Sequence, residues 1–443
     1  MITNHFKRLL FKGLKHDLRL RQLGAALFAV TMIVMLSPII VHAVPIYAIT
    51  QSGKLVLFDS QTSYEFTNSM TIAGLQPNES VLAIDFRPAT RQLYALGSTS
   101  RLYVINTFTG AATPVGAGPF APVLNGKFFG FDFDPVADRA RVVSDTHQNL
   151  LLHPETGAVT AVYEPTAYVS GDLHAGGIPL VTGLAYSNNV AGASATTLYG
   201  FDFRQAGVLV KFDPLNSGKL KTVGPIREIN AVDAIGDHLA AFDISDSGTA
   251  YLALSFFDMD VGPMKYFCTI DLATARATNL GFIGSGESVR GIAINPTGLP
   301  TPAPTALPPG TPVLLRELNS PRAIALDSVS MLRDPLPVKS KYNFSSDKRT
   351  RLMLFASNIE LMAGENSSVI TAQAEDSNGI VYPLTVEFVG KVPNFDWLTQ
   401  INVKLPDGLS TDGIFGPDYI WVTISLRGVE GNKALVILDP DVV

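Results

Sequence analysis

Three aspartates stand at the same place in three similar apolar segments of the chain. Asp85 lies in AIDF, Asp132 in GFDF and Asp243 in AFDI. Carboxylates that meet on one axis can bind Ca²⁺ or a polar ligand, because hard cations prefer oxygen donors. The alternative interpretation is structural: each carboxylate accepts hydrogen bonds from backbone amides of a neighbouring segment. Both interpretations require that the three segments fold alike and lie side by side.

A repeat along the chain provides that arrangement. The segment Val81–Gly116 contains four short runs rich in Val, Ile, Tyr and Phe, separated by turn residues, which is typical of an antiparallel meander. Three further complete copies are Phe129–Val162, Val181–Pro225 and Leu239–Ile283. A fifth copy is split, with its first strand in Gly291–Pro296 and its other three strands in Ile46–Gly74.

The spacing of the copies predicts the architecture. Their first strands begin near Ala83, Gly130, Gly183, Ala241 and Gly291, at intervals of 47, 53, 58 and 50 residues. Four-stranded propeller units recur at roughly 40–50 residues. The sequence therefore predicts a five-bladed β-propeller closed by its N-terminal strands, because a split blade leaves no open sheet edge. In this prediction Gly291–Asn295 pairs antiparallel with Ile46–Gln51.

The first strands of the copies also share a two-sided pattern. Side chains alternate faces along a strand, and in every copy one face is bulky while the other is small or Asp. The bulky pairs are Ile84/Phe86, Phe131/Phe133, Leu184/Tyr186, Phe242/Ile244 and Ile292/Ile294. The small pairs are Ala83/Asp85, Gly130/Asp132, Gly183/Ala185, Ala241/Asp243 and Gly291/Ala293. Blades crowded around a narrow axis need this combination, and it places the three aspartates together.

The N-terminus has the pattern of a secretory signal peptide, predicted as residues 1–43. Six basic residues precede the apolar run Leu23–Ile40, and Val41-His42-Ala43 has small residues where a signal peptidase cleaves. An uncleaved membrane anchor is the alternative, because 18 apolar residues can just span a bilayer. Cleavage predicts an exported protein, periplasmic, on the cell surface or secreted, with no further membrane span.

Charge and cysteine content exclude several functions. Residues 1–43 carry six basic residues and one acidic residue, so the remaining chain has 27 basic and 38 acidic residues and a net charge of −11. Such a chain repels phosphate backbones, and nucleic acid is not an expected partner. A single cysteine, Cys268, allows no internal disulfide and no cysteine metal site. Because Cys268 lies in an apolar predicted strand, we expect a buried structural thiol.

A proline-rich segment separates the repeats from the rest of the chain. The segment PTGLPTPAPTALPPGTP contains seven prolines in 17 residues, which predicts an extended, semi-rigid spacer. We therefore predict a propeller at residues 44–296, a linker at 297–312 and a second domain at 313–443. The second domain has about eight strand-like runs, which favour an immunoglobulin-like β-sandwich.

Two long motifs resemble a known family. DFRPATRQLYALGST and GFDFDPVADRARVVSDTHQNLLLHPETGAV are similar to segments of a family of exported bacterial proteins that carries a propeller-like domain of unknown function. The resemblance covers roughly residues 46–296 and implies no catalytic residues. The tail NVKLPDGLSTDGIFGPDYIWVTISLRGVEGNKALVI resembles an immunoglobulin-like C-terminal module of assorted exported bacterial proteins, which also implies no chemistry.

Other groups that could carry chemistry have structural explanations. Ser144, Asp145 and His147 are too close in sequence for a hydrolase triad and coincide with a predicted turn. His153, His174 and His238 are scattered and lack zinc-site spacing. No G-x-S-x-G, phosphate-binding loop or dinucleotide-binding motif occurs in its required context.

Two functional classes are therefore compatible with the sequence. The first is an exported, non-enzymatic binding or interaction protein that uses the propeller as a platform for an unidentified extracellular or periplasmic ligand, such as a glycan or a protein. The alternative is a metal-assisted hydrolase, lactonase-like or glycan-processing, with its site in the channel. The missing catalytic motifs favour the first class, and propellers host both. No cofactor is expected, except for Ca²⁺ bound by Asp85, Asp132 and Asp243.

Overall fold

The computed structural model describes residues 43–203, 207–226, 234–258, 262–284, 286–305, 308, 310–317, 320–376, 379–393, 395–409 and 419–439. These residues form thirty β-strands and one short 3-10 helix, Ser367–Val369, with no α-helix among them. No helix in these ranges has the length and apolar character needed to cross a membrane. The predicted signal peptide lies outside the described residues except for Ala43, so its cleavage stays a prediction.

Five sheets form the propeller and are numbered here as blades 1–5. Blade 1 has β1 (Pro45–Thr50), β2 (Lys54–Asp59), β3 (Phe66–Thr71) and, from the end of the repeat region, β21 (Val289–Ile294). Blade 2 has β4 (Val81–Arg87), β5 (Gln92–Gly97), β6 (Arg101–Ile105) and β7 (Ala112–Val115), and blade 3 has β8 (Phe129–Asp134), β9 (Arg139–Ser144), β10 (Asn149–Leu152) and β11 (Val159–Val162). Blade 4 has β12 (Ala167–Tyr168), β13 (Val181–Tyr186), β14 (Leu198–Asp202), β15 (Val208–Phe212) and β16 (Lys219–Pro225), and blade 5 has β17 (Ala234–Ile244), β18 (Ala250–Asp258), β19 (Gly262–Ile270) and β20 (Ala277–Gly281).

The predicted closure of the ring is confirmed. Strand β21 pairs antiparallel with β1, with Ile46 opposite Ile294 and Ile49 opposite Gly291. The Asn295 amide extends the ladder by donating to the Pro45 carbonyl at 2.9 Å. The inner strands then contact one another in a closed cycle of β4, β8, β13, β17 and β21. The two ends of the repeat region, Ile46–Gln51 and Gly291–Asn295, are thus joined in one sheet, and no inner edge is left open.

The small residues of the inner strands are needed where neighbouring blades approach each other. A Cβ atom on Gly130 would lie 2.6 Å from Cγ of Leu184, and one on Gly291 would lie 2.9 Å from the backbone nitrogen of Ile84. Real Cβ atoms do not approach other heavy atoms this closely. The bulky residue of each neighbouring strand therefore occupies the volume that the glycine leaves open, as the alternating pattern predicted.

Two details of the blades differ from the predicted four strands of similar length. Blade 4 has a fifth strand, β12, which pairs parallel with β16 at the outer edge. Two residues are too few to show a periodic pattern in the sequence. In blade 5, β17 begins at Ala234 rather than at Leu239, because the backbone of Ala234 and Ile235 continues the pairing with β18 beyond a register shift.

The C-terminal strands form one large curled sheet, with strand order β22-β25-β28-β27-β26-β29-β30-β24 and β23 paired with β25. These strands are β22 (Val313–Leu314), β23 (Ala325–Asp327), β24 (Leu336–Pro337), β25 (Arg351–Ser357), β26 (Ile370–Asp376), β27 (Val381–Val392), β28 (Phe395–Lys404), β29 (Tyr419–Leu426) and β30 (Val429–Asp439).

The curled sheet has the two layers of the predicted sandwich. Leu354 and Ile401 from one half share a hydrophobic core with Val422 and Val436 from the other half. The long strand β27 joins the halves, because its first part pairs with β26 and its second part with β28. The described part of Val44–Val443 belongs to one compact unit, and the boundaries predicted around the proline-rich linker stay predictions.

Candidate functional site: a carboxylate cluster at the propeller axis

The fold brings the three predicted site residues together. Asp85 lies on β4, Asp132 on β8 and Asp243 on β17, each on the axial face of the inner strand of its blade. One carboxylate oxygen from each residue lies within 4.8 Å of the other two. All three side chains are at most 1% exposed. The repeat predicted this cluster correctly, although ligand binding at it remains a prediction.

Each aspartate also links its blade to the next one. The Phe133 amide donates to Oδ2 of Asp85 at 2.9 Å, and the Ile294 amide donates to Oδ2 of Asp243 at 2.6 Å. The Tyr186 amide donates to Oδ1 of Asp132 at 3.2 Å. These are the backbone hydrogen bonds of the structural alternative. They fix the carboxylates on the axis, and they leave other lone pairs of the same oxygens available.

Blades 1 and 4 carry alanine at the position where the other three blades carry the axial aspartate. The aspartates of the other blades accept the hydrogen bonds that these alanines cannot accept. Ala293 and Ala185 cannot accept the amide of the next blade. Those amides, of Phe86 and Ile244, are bound by Oδ1 of the aspartate that precedes each of them, at 2.7 and 2.6 Å. Every blade therefore has its axial amide satisfied, although only three of the five blades supply a carboxylate.

One of the carboxylate oxygens in the cluster has no hydrogen-bond donor. Three carboxylates present six oxygens to five axial amides, and Oδ2 of Asp132 is buried without a hydrogen-bond partner. An unpartnered buried polar atom costs roughly 1–3 kcal/mol, and more when the group is charged. This oxygen is therefore the position at which the cluster requires a proton or a cation.

The electrostatics of the cluster lead to the same requirement. Burial raises the pKa of Asp85 and Asp132 well above the ordinary range, and the charges of neighbouring aspartates raise both pKa values further. Burial also raises the pKa of Asp243, to about 7. Two unit charges 4.8 Å apart repel each other by about 3 kcal/mol at an effective dielectric constant of about 20. Three bare carboxylates are therefore unfavourable at the axis without a compensating positive charge.

A small cavity lies along the same axis, two residues before the aspartates on the inner strands. Its volume is about 10 Å³, and it lies beside Ala83, Gly130 and Gly291. That volume corresponds to about one water molecule. The carboxylates themselves are at most 1% exposed, so they offer almost no surface to a substrate of ordinary size.

A larger cleft lies at the mouth of the channel, where the inner strands end. Its volume is about 160 Å³. Its lining comes from the ends of the inner strands and the loops that follow them in blades 1, 2, 4 and 5: Phe86, Pro88, Arg91, Asn189, Val190, Ala191, Asp246, Ile294, Pro296 and Thr297. The sequence predicted a turn at residues 87–91 and placed Thr297 in the proline-rich linker, and it did not predict a cleft between these loops. Their common position directly after each inner strand was the signal that could have identified the cleft.

Polar groups at the mouth cleft are held in place by contacts between blades. Arg91 donates through Nη2 to the carbonyls of Pro296 and Thr297 at 3.2 and 2.5 Å. The amide nitrogen of the Asn189 side chain donates to the Ile244 carbonyl at 3.2 Å, while its Oδ1 is buried and has no partner. The cleft therefore has one guanidinium and one unsatisfied amide oxygen in fixed positions.

The other candidates have the structural roles that the sequence predicted. Ser144 accepts the backbone amide of Gln148 within the turn that follows β9, whereas Asp145 accepts the backbone amides of Lys127 and Phe128, which directly precede β8. Cys268 is fully buried, and burial raises the pKa of its thiol to about 12. Within the described residues, the three axial aspartates form the only group arranged to hold a metal, and no histidine contributes.

The fold and the buried carboxylates define the class of protein: a five-bladed β-propeller with an acidic axis, followed by a curled β-sandwich. Residues 54–293 match the profile of a domain of unknown function, DUF4394. The chain belongs to that family, which confirms the resemblance seen in the sequence. No curated protein matches the chain.

Several solved structures show remote similarity. An engineered GH43 glycoside hydrolase is 10% identical, with a TM-score of 0.35 over 87% of this chain and 86% of that protein. A glutaminyl cyclase of Myxococcus xanthus is 12% identical, with a TM-score of 0.29 over 52% of this chain and 97% of that protein. A bifunctional GH43-CE protein of Bacteroides eggerthii is 11% identical, with a TM-score of 0.32 over 91% of this chain and 54% of that protein, so the chain spans about half of its length. At this level of similarity the activities of those proteins are not transferred to this chain.

Proposed function

We propose that the protein is an exported, non-enzymatic binding protein whose propeller holds part of an extracellular or periplasmic ligand in the mouth cleft. The observation that carries the proposal is the convergence of four blades on this cleft, with the Asn189 Oδ1 atom left unsatisfied in its wall. A buried acceptor without a donor favours a ligand that brings a hydroxyl or an N–H group.

The size and polarity of the mouth cleft narrow the ligand class. Its volume of about 160 Å³ is below the roughly 300–1,000 Å³ of pockets that enclose a whole small molecule. One sugar unit of a glycan or one side chain of a protein fits this scale. Arg91 and Asp246 add hydrogen-bonding groups of both signs beside the apolar Phe86 and Val190, a combination suited to a sugar ring with an apolar face and hydroxyl edges.

The burial of the axial carboxylates argues against the hydrolase alternative. A metal-assisted hydrolase, whether lactonase-like or glycan-processing, needs its substrate to reach the metal and its carboxylates. Asp85, Asp132 and Asp243 are at most 1% exposed, so their carboxylates offer almost no surface that a substrate could contact. Binding at the mouth does not require access to the axis, and it is therefore the better-supported function.

Export is proposed from the N-terminal pattern, and the predicted mature chain begins at or near Val44. The start of the propeller supports this position, because the Val44 amide donates to the Ser60 hydroxyl at 3.0 Å and β1 begins at Pro45. N-terminal sequencing of the protein recovered from outside the cytoplasm is expected to start within a few residues of Val44. Recovery of a chain that retains Leu23–Ile40 would instead establish an uncleaved anchor.

A binding screen with one matched pair of variants tests the ligand site. The purified protein is screened against glycans, cell-wall fragments and extracellular proteins, and each hit is titrated by calorimetry. Arg91→Ala is expected to weaken binding of a mouth ligand by about tenfold, the effect of losing one hydrogen-bonding anchor. Arg290→Ala removes the same group at the opposite opening of the channel and is expected to leave the Kd within about twofold.

Three outcomes of this screen would contradict the proposal. A ligand whose affinity falls with Arg290→Ala and not with Arg91→Ala would place the site at the opposite opening. A ligand unaffected by both variants would place it away from the channel. Turnover of a glycan or lactone by the wild-type protein would establish the hydrolase alternative.

A further inference from the structure

We propose that Asp85, Asp132 and Asp243 bind one hard divalent cation, with Ca²⁺ as the first candidate, and that this cation clamps the propeller at its axis. The three carboxylate oxygens lie within 4.8 Å of one another, so a point between them lies within about 2.8 Å of all three, close to a Ca–O distance of roughly 2.4 Å. A single ion between them can therefore contact all three with side-chain shifts of a few tenths of an ångström. The cation site is independent of the mouth cleft and of the ligand proposed there.

The unpartnered oxygen provides a second observation that points to a cation. Oδ2 of Asp132 is buried, and no donor in the structure reaches it, although every axial amide is already satisfied. This one oxygen is therefore the acceptor at the axis that lacks a partner, and a cation would supply that partner together with a compensating positive charge. A bound cation would be coordinated by this oxygen, which makes no hydrogen bond. It would also be coordinated by a second lone pair of the neighbouring carboxylate oxygens, whose first lone pair accepts an N–H group.

Charge balance favours a metal ion over the protein's own basic side chains. Among the residues that the structure describes, the hydrogen bonds to the three carboxylates come from neutral backbone amides and not from a lysine or an arginine. Buried carboxylates are otherwise paired with basic groups or coordinate metals. All ligand atoms at the site are oxygens, which selects hard cations such as Ca²⁺ over zinc or copper.

The position of the site indicates what the cation does. Its ligands come from blades 2, 3 and 5, whose inner strands bring them together at the axis only when the ring is closed. A cation that binds these three blades together, and does not bind the unfolded chain, stabilises the folded ring by mass action. The proposed role is therefore structural. It gives a reason for the aspartates of blades 2, 3 and 5 at a position where blades 1 and 4 carry alanine.

The test measures metal content and thermal stability of the purified protein. Elemental analysis is expected to find one divalent cation per chain. After dialysis against a chelator, about 1 mM CaCl₂ is expected to raise the Tm by about 5 °C or more relative to KCl of equal ionic strength. MgCl₂ is expected to have a smaller effect, because Mg²⁺ requires a stricter octahedral geometry and gives up its water less readily.

One isosteric variant distinguishes a bound cation from a bound proton at the unpartnered Oδ2 of Asp132, called the orphan oxygen below. Asp132→Asn keeps Oδ1 as the acceptor for the Tyr186 amide and replaces Oδ2 with an NH₂ group that can donate to Asp85 or Asp243. We expect this variant to fold, to contain no stoichiometric metal and to show no response to Ca²⁺. Asp213→Asn makes the same charge change at a surface ion pair with Lys221 and is expected to retain the full response.

The opposite results would overturn the proposal. If the wild-type protein contains no stoichiometric metal and its Tm is equal in CaCl₂, MgCl₂ and KCl, the axis binds no cation. A rise in Tm for Asp132→Asn under the same conditions would then assign the orphan oxygen to a shared proton. If Asp132→Asn fails to fold, the wild-type metal content and Ca²⁺ response decide the matter by themselves.

Discussion

Deletion of Gly291–Pro296 is expected to unfold all five blades in one cooperative transition. The deleted segment contains Gly291–Ile294, the larger part of β21, which pairs with β1 in blade 1 and lies between β17 and β4 in the ring. It also supplies the Ile294 amide that binds the Asp243 carboxylate. Its loss exposes the edge of β1 and removes two inter-blade contacts at once. We expect the loss to approach the whole free energy of unfolding, roughly 5–15 kcal/mol.

Hydrogen exchange measured blade by blade is the appropriate readout for this deletion. Amides in blade 3, on the far side of the ring, are expected to lose protection together with those in blade 1. A control deletion of Val190–Ala195 removes six residues from the loop between β13 and β14 and is expected to cost less than about 1 kcal/mol. Normal protection of blade 3 after deletion of β21 would show that the blades are stable without a closed ring.

Gly130→Ala is expected to lower the free energy of unfolding by about 2–3 kcal/mol, because the added methyl group has no space. Its Cβ atom would lie 2.6 Å from Cγ of Leu184 and 3.0 Å from the backbone of Gly183, so blades 3 and 4 must separate. Gly118→Ala is the matched control, since no atom lies within 4 Å of a Cβ at that position and its φ is not positive.

Urea denaturation of the two glycine variants measures the difference between them. The midpoint of unfolding should fall clearly for Gly130→Ala and should change little for Gly118→Ala, with similar slopes for both transitions. Equal midpoints for the two variants would mean that the inner strands can move apart without cost. Close packing of the blades would then not be the reason for small residues on the axial face.

The repeat made much of the propeller predictable from the sequence. Four strands per unit, the split blade and the alternation of bulky and small residues are local patterns, and a closed ring follows from them without knowledge of any distance. The positions of Asp85, Asp132 and Asp243 in equivalent strands were sufficient to predict that they meet. In a repeat protein, residues at equivalent positions of the repeats lie close together around the axis, and the prediction succeeded for this reason.

The features that escaped prediction depend on geometry that no local pattern encodes. The orphan oxygen of Asp132 follows from which blades carry alanine and from which amide each carboxylate reaches, and this is known only once all five strands are placed. The mouth cleft is built from four separate loops, none of which has a distinctive sequence. The two-residue strand β12 and the continuity of β27 between the sandwich layers likewise depend on long-range pairing.

The two alanines at the axis divide the ring into two arcs. Asp85 and Asp132 join blades 2, 3 and 4, and Asp243 joins blades 5 and 1. The joints between blades 1 and 2 and between blades 4 and 5 have no carboxylate link at this level. They are bridged instead at the mouth, by Arg91 to the Pro296 and Thr297 carbonyls and by Asn189 to the Ile244 carbonyl.

The polar residues of the mouth cleft thus also form the hydrogen bonds that connect the two arcs. A ligand bound as proposed above would compete with these carbonyls for the Arg91 guanidinium and would weaken one joint. Its binding and the strength of that joint would then be thermodynamically linked, and each would change the other by the same free energy. A propeller of this kind can report a bound guest as a change in its own rigidity.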